Sequence, residues 1–279
     1  MEILMDLLSR ENYSSIVDEC HFWVNTTNFD DLQWIKAYSR TRGAGWVHLK
    51  NLPVGVSIDC KNLWWTVCHF YKLARASKTI YIKIDDDTVL IDPLQNFKRF
   101  LDFRIDHPEY FLVSANVINN SICTHFMQSA GILNELQTIS YNSHDKVGMS
   151  GKFAEQLHNI IIDHMFDMAK FHFEGFRDIN NWMRLCINCI AWFGEDMRGL
   201  EVPRDDEIFL STTVPRDLGR KLCVFGGYSV CHFSYGTQHH HLLANTSLLE
   251  KYQRNCLDGA KNITHRQERF QPHEINRRG

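Results

Sequence analysis

Thr79-Ile80-Tyr81-Ile82-Lys83-Ile84-Asp85-Asp86-Asp87-Thr88-Val89-Leu90 is the stretch on which the fold turns. Its first half is almost entirely β-forming residues and predicts a strand. It runs without a break into three adjacent carboxylates, and Val89-Leu90-Ile91 resumes the apolar pattern. Neighbouring carboxylates repel and are costly unless a cation or solvent compensates. A solvated acidic turn would read the same from charge alone. The apolar flanks, however, hold the triplet on a rigid frame, and the carboxyl end of a strand is where open α/β sheets bind ligands. A hard divalent ion would use such oxygens and keep positions open for phosphate oxygens.

Working outward, strand and helix patterns alternate. Residues 1–11 read as a short helix, and Ile16 to Asn25 as a strand ending in Asn25-Thr26-Thr27-Asn28. Asp30 reads as the cap of a helix carrying Leu32, Trp34, Ile35 and Tyr38. Trp46 to Leu49 reads as a second strand. A helix follows from Cys60 to Ala74, with Leu63, Trp64, Val67, Phe70 and Tyr71 at helical spacing. Beyond the acidic turn come a helix near 94–104, a strand at Tyr110 to Ser114, a helix from Phe153 to Met168, a helix from Glu207 to Thr213 and a late strand from Val224 to Phe233. The alternation predicts an α/β single domain with a mixed, mostly parallel sheet flanked by helices. The polar, basic residues 259–279 read as a tail.

Composition sets the outer limits. The chain has 279 residues, 44% hydrophobic and 23% charged, as in a globular protein. With Lys plus Arg at 30 and Asp plus Glu at 33, the net charge is −3, which supplies no basic field for nucleic acid. No apolar run approaches a membrane span, and no secretory signal opens the sequence. Nine scattered Cys, an odd number, read as reduced thiols in a cytoplasmic, soluble protein. The sequons at Asn12, Asn25, Asn119, Asn245 and Asn262 are accordingly expected to be unmodified.

Ile82 to Val89 resembles the DXD motif of GT-A glycosyltransferases. Ser114 to Asn120, Trp192 to Asp196, Asp205 to Ser211 and His232 to Gln238 resemble further blocks of that family, in order, over residues ~16–255. Within the family the resemblance is nearest to the soluble capsid-glycan glycosyltransferases of large algal DNA viruses, a β-xylosyltransferase among them. The resemblance implies a GT-A domain over 1–258, with a nucleotide-sugar half to about 115 and an acceptor half beyond it. It implies sugar transfer from a nucleoside-diphosphate sugar such as UDP-xylose to a glycan hydroxyl, on a glycoprotein for instance, in the host cytoplasm if the protein is viral.

By the same resemblance Mn²⁺ or Mg²⁺ would be held by Asp87, Asp85 and His232, and donor contacts would come from Asp85, Asp86, Lys83 and Lys61. The cation would stabilise charge on the departing diphosphate. An inverting transfer also needs a carboxylate base. Asp206 is the first candidate, Glu207 the next, and Asp196 the rival beside the aromatic Trp192 and Phe193. Asp205-Asp206-Glu207 at a helix start would equally serve as a cap. Family members open with a strand that holds the nucleotide base, and here the sequence opens at the helix that follows it. That strand is therefore expected to be lost or to lie upstream of Met1. Two other signals carry less. His239-His240-His241 cannot all face one ion on a regular element, and Cys186-x-x-Cys189 lacks the second pair of a zinc site. The alternatives are a metal-dependent phosphohydrolase or nucleotidyltransferase using the same acidic turn, and a noncatalytic glycan-binding module.

Overall fold

The apolar run Leu112–Ile118 forms a strand buried at every position, and so does Leu222–His232. Continuous burial of this kind is the mark of strands covered on both faces. In the computed structural model, which describes residues 1–58, 63–179 and 182–255, these two strands pair in parallel and form the centre of a six-stranded sheet.

In chain order the elements are α1 (Glu2–Arg10), β1 (Cys20–Trp23), α2 (Phe29–Arg40), β2 (Val47–Lys50), α3 (Leu63–Thr66) with a 3-10 segment Val67–Leu73, β3 (Ile80–Ile84), β4 (Thr88–Ile91), α4 (Leu94–Asp106), β5 (Leu112–Ile118) and α5 (Ser121–Ser129). There follow α6 (Gly151–Asp163), β6 (Phe176–Asp178), β7 (Cys189–Phe193), α7 (Asp206–Ile208) with a π-helical segment Phe209–Thr213, α8 (Val214–Leu218), β8 (Leu222–His232) and α9 (Gly236–Asn245). The sheet runs β3-β7-β5-β8-β4, with β6 also on β8. β7, β4 and β6 are antiparallel to their partners, so the sheet is mixed, and β1–β2 form a separate parallel pair. Because both proposed halves contribute strands to one sheet, the chain is a single α/β domain. The proposed tail, 259–279, lies outside the described residues.

Some boundaries differ from the sequence expectation. Asn28, not Asp30, caps α2, its side chain accepting from the amides of Asp30 and Asp31. Asp30 and Asp31 fall in the first turn, where the helix dipole favours acids. Among the described residues, the long helix expected from Cys60 to Ala74 is α over Leu63–Thr66 and tightens to 3-10 beyond it. No described helix is long and apolar enough to cross a membrane.

The three-residue turn Asp85–Asp87 constrains the whole sheet. β3 and β4 occupy opposite ends of the strand order, four inter-strand steps apart. Those steps would span about 19 Å in a flat sheet. The chain from Ile84 to Thr88 reaches at most about 15 Å. The sheet must curl to bring its two ends to the acidic turn.

A bulge in β8 makes part of this bend. Ala115 pairs with Phe225 but Asn116 pairs with Ser229, leaving residues 226–228 without partners on β5. Buried polar side chains bond to the backbone and to one another around the bulge. Asp92, fully buried, accepts from the Ser229 amide at 2.6 Å and from His172 at 2.6 Å. Asn116 donates to Ser229 Oγ and to the Phe171 carbonyl. Tyr228 fills the space beside Phe97 and Phe100. Gly226 sits where a Cβ would come within 2.1 Å of the Phe173 carbonyl oxygen.

That contact is with backbone and cannot rotate away. Gly226→Ala is therefore expected to destabilise the fold by about 1–3 kcal/mol, the usual cost of overpacking. Urea unfolding followed by tryptophan fluorescence measures it, and an unchanged midpoint would show that the bulge tolerates a side chain.

Candidate active site

The β4–β8 register assembles the strongest cluster. Thr88 opposes His232 in that pairing, so Asp87, one residue earlier, arrives beside the end of β8. His232 Nε2 lies 3.1 Å from Asp87 Oδ1, and the Phe233 amide donates to the Asp87 carbonyl. Ligand atoms of Asp85, Asp87 and His232 all fall within 4.8 Å of one another. Two carboxylates and an imidazole suit Mn²⁺ or Mg²⁺ better than a soft metal. A 3.1 Å gap also matches adjacent ligands about 2.1 Å from one ion, which stand about 3 Å apart.

Burial opposes charge on both Asp87 and His232. Their mutual hydrogen bond and attraction outweigh it, holding Asp87 below the usual carboxylate range and His232 above the usual imidazole value. The ring is 4% exposed and packs on Tyr235 at 4.6 Å between centroids. Its Nδ1 is buried with no hydrogen-bond partner among the described residues. The segment after it is fixed by Asn119, which adopts a left-handed backbone with φ 67°. Asn119 Nδ2 donates to the carbonyls of His232 and Phe233 and to Gln238 Oε1.

Asp85 is held more tightly. One carboxylate oxygen accepts from Lys83 Nζ, and Asn188 Nδ2 donates to the other at 2.9 Å. Lys83 Nζ donates further to the Ile187 carbonyl at 3.0 Å, and Tyr235 donates to Asn188 Oδ1 at 2.8 Å. Lys83 thus acts as the counter-ion of Asp85. Burial disfavours its charge, but Asp85 and Asp206 outweigh this and raise its pKa. Asp86 is exposed at the tip of the turn. Lys61 lies outside the described residues.

Helix α7 brings the candidate bases to the same region. Asp205 caps it, accepting from the Ile208 amide at 2.9 Å. Asp206 Oδ2 accepts from the buried Tyr71 hydroxyl at 2.9 Å, and Oδ1 has no hydrogen-bond partner among the described residues. Burial raises the Asp206 pKa, while Lys83 and the Tyr71 hydrogen bond pull it back and Asp85 adds to the rise. These electrostatic couplings set Asp206 beside the acidic turn. Glu207 is also raised by burial, but Arg184 engages its carboxylate in an ion pair.

Asp196 is not brought to this place. β3 and β7 pair with Ile84 opposite Cys189 and Ile80 opposite Phe193. The acidic turn follows Ile84, whereas Asp196 follows Phe193, so the two lie at opposite ends of β7, about 15 Å apart at strand rise. Asp196 instead forms a two-pronged ion pair with Arg220, at 2.5 and 3.1 Å. Trp192 is 1% exposed and packs on Tyr71 and Tyr81, so it offers no face to a sugar. Phe193 carries the Arg104 guanidinium 4.3 Å from its ring centre.

The histidine run divides its contacts, His239 with Ser234 and His241 with Glu155. Cys186 and Cys189 are free, buried thiols. Sequence reasoning passed over Asn188, Tyr71 and Arg184. Asn188 sits inside the stretch read as core packing, and only the β3–β7 pairing turns it towards Asp85. Tyr71 occupies a core-facing helical position, and nothing local marks its hydroxyl. Comparison with protein-family models gives no match, and no curated protein matches the chain.

Mn²⁺ titrated calorimetrically into the protein is expected to bind at one site, with Asp87→Ala weakening it at least tenfold while circular dichroism stays unchanged. Affinity should fall as pH is lowered through the raised pKa of His232, because the protonated ring then carries a proton where the ion would be held. Binding that is indifferent to both would remove these residues as ligands.

Proposed function

We propose that the chain is a metal-dependent glycosyltransferase of the GT-A type, which moves a sugar from a nucleoside-diphosphate donor to a glycan hydroxyl with inversion. The observation that carries this reading is the juxtaposition of two sites. One is the carboxylate–imidazole group Asp85, Asp87 and His232, and the other is the carboxylate of Asp206, with one oxygen free of hydrogen bonds among the described residues. The resemblance of the sequence blocks to that family supports the same reading, with UDP-xylose as the first donor to test.

A bound Mn²⁺ or Mg²⁺ would supply Lewis-acid stabilisation of the departing diphosphate. Asp87 and His232 would hold it directly, as their closeness suits, with Asp85 held beside them by Lys83 and Asn188. Asp206 receives the proton of the acceptor hydroxyl. Its environment fits the task, because a base works best with a pKa lifted towards the operating pH, and burial lifts this one. Glu207 is less suited, since Arg184 occupies its carboxylate. The seven free thiols among the described residues fit a reducing compartment, so the proposal puts the reaction in the cytoplasm.

The test is transfer from a panel of sugar nucleotides with Mn²⁺, abolished by chelation and restored by the metal. Release of inorganic phosphate in place of nucleoside diphosphate would favour a phosphohydrolase, and glycan binding without turnover would favour a binding module. An α-linked donor should give a β-linked product, read from the anomeric proton coupling. Asp206→Asn should lower kcat by about 10²-fold or more and leave donor affinity nearly unchanged. Wild-type activity should fall on acidification through the raised Asp206 pKa, so the acid limb lies above the ordinary carboxylate value. A retained α linkage, or Asp206→Asn at the wild-type rate, would reduce Asp206 to a helix-end acid.

A further inference from the structure

We propose that Tyr71 is a positioning residue for the transfer: its phenol holds Oδ2 of Asp206 and thereby aims Oδ1 at the acceptor hydroxyl. The inference rests on Asp206 being the base in the reading above.

A carboxylate at the first position of a short helix turns freely about its side-chain bonds unless something holds it. Here α7 spans only Asp206–Ile208 and continues as a π-helical segment, so the helix gives little restraint. Tyr71 supplies it from another element. Its ring is fully buried, edge-on to Trp23 at 5.1 Å and tilted against Trp192 at 5.9 Å. Trp192 is itself fixed, its indole donating to the Ala74 carbonyl at 3.2 Å. The hydroxyl donates to Asp206 Oδ2 at 2.9 Å, and that is the single hydrogen bond of this carboxylate among the described residues.

A buried tyrosine normally places its polar end on a partner that needs it. Burial and the neighbouring Asp206 raise the phenol pKa far above neutrality, so it remains a donor throughout the working range. The groups facing Asp206 are Tyr71 and Cys68 from the 3-10 segment, Lys83 and Asp85 from β3 and its turn, and Asp205 and Glu207 from its own strand-to-helix junction.

In the transfer the acceptor O–H bond breaks and its proton passes to Asp206 Oδ1. The acceptor oxygen forms the new bond to the anomeric carbon, and the electron pair of the old sugar–phosphate bond leaves with the nucleoside diphosphate. Only Oδ1 can take part while Oδ2 is held by the phenol. A hydrogen bond to the ionised carboxylate also favours its charged form and tempers the rise caused by burial.

Tyr71→Phe tests this, because the ring and its packing on Trp23 and Trp192 remain and only the hydroxyl is lost. The expected result is a fall in kcat of about tenfold, the scale of one hydrogen bond to a charged group, with donor KM unchanged. The acid limb of the pH–rate profile should move to higher pH, and the ¹³C titration of the Asp206 carboxyl should move the same way. Because the hydroxyl acts only through Asp206, the change should add nothing in an Asp206→Asn background. A lowered melting temperature with an unmoved acid limb, or a loss that adds fully to that of Asp206→Asn, would overturn the proposal and make Tyr71 a packing residue. If Asp206→Asn is inactive and Tyr71→Phe matches wild type throughout, this inference alone fails. If Asp206→Asn itself transfers at the wild-type rate, the assignment of the base fails and takes this inference with it.

Discussion

Negative charge concentrated at one strand end is the constraint around which this molecule is arranged. Two carboxylates 4 Å apart repel by about 4 kcal/mol at an effective dielectric of 20, and Asp85, Asp86 and Asp87 are consecutive. Each outer member of the triplet is matched by a cationic side chain from a different element. Lys83, two residues back on β3, takes Asp85. His232, at the far end of β8, takes Asp87. Asp86, between them, is exposed at the tip of the turn. The two counter-ions differ in kind. Lys83 is anchored by a second contact, to a backbone carbonyl, and stays charged. His232 is an imidazole, whose ionisation is more easily reversed than a lysine's, so Asp87 is the carboxylate that can exchange a protein partner for an added cation.

This pairing requires β8 to end where β4 begins, and the rest of the sheet supplies that. β8 carries an irregularity at residues 226–228, which shifts its lower half against β5 before it reaches His232. The buried Asp92–His172–Ser229 contacts and the Asn116 side chain satisfy the polar groups that the shift exposes. Unpaired, those groups would cost a few kcal/mol between them. Asn119 then holds the chain beyond His232 through three hydrogen bonds from one amide nitrogen. Asn116 in the middle of β5 and Asn119 just past its end therefore serve the geometry of the site.

Much of this was legible locally. The strand at Ile80–Ile84, the acidic turn and the late strand leading to His232 all follow from β-forming runs, and the α/β class follows from their alternation with helical patterns. What the sequence could not disclose depends on register. Asp196 stood as the rival of Asp206, because both are acids near aromatic or apolar residues. Only the antiparallel pairing of β3 with β7 sends it to the opposite end of the sheet, where Arg220 holds it. Asn188 and Tyr71 were hidden for the converse reason. Both lie in apolar stretches whose pattern says core, and their polar atoms meet Asp85 and Asp206 across 103 and 135 residues of chain. The first cap was misplaced by two residues because Asn28 and Asp30 are both good capping residues, and the backbone amides chose between them.

The two neighbouring acids at the start of α7 show how environment divides roles that sequence leaves equal. Asp206 and Glu207 are adjacent, both partly buried and both raised by desolvation. Glu207 meets a guanidinium, which ion-pairs with one of its carboxylate oxygens and ties α7 to Arg184. Asp206 meets a neutral phenol, which satisfies one oxygen without neutralising the charge. Lys83 stands close enough to stabilise that charge, while its ion pair is spent on Asp85. A carboxylate that is charged, partly dehydrated and half hydrogen-bonded retains one oxygen with both the basicity and the vacancy needed to accept a proton. The same lysine therefore ties the two ends of the site together. It neutralises the first carboxylate of the acidic turn and keeps the carboxylate of Asp206 ionised, so that a change at position 83 would act on the cation group and on the base at once.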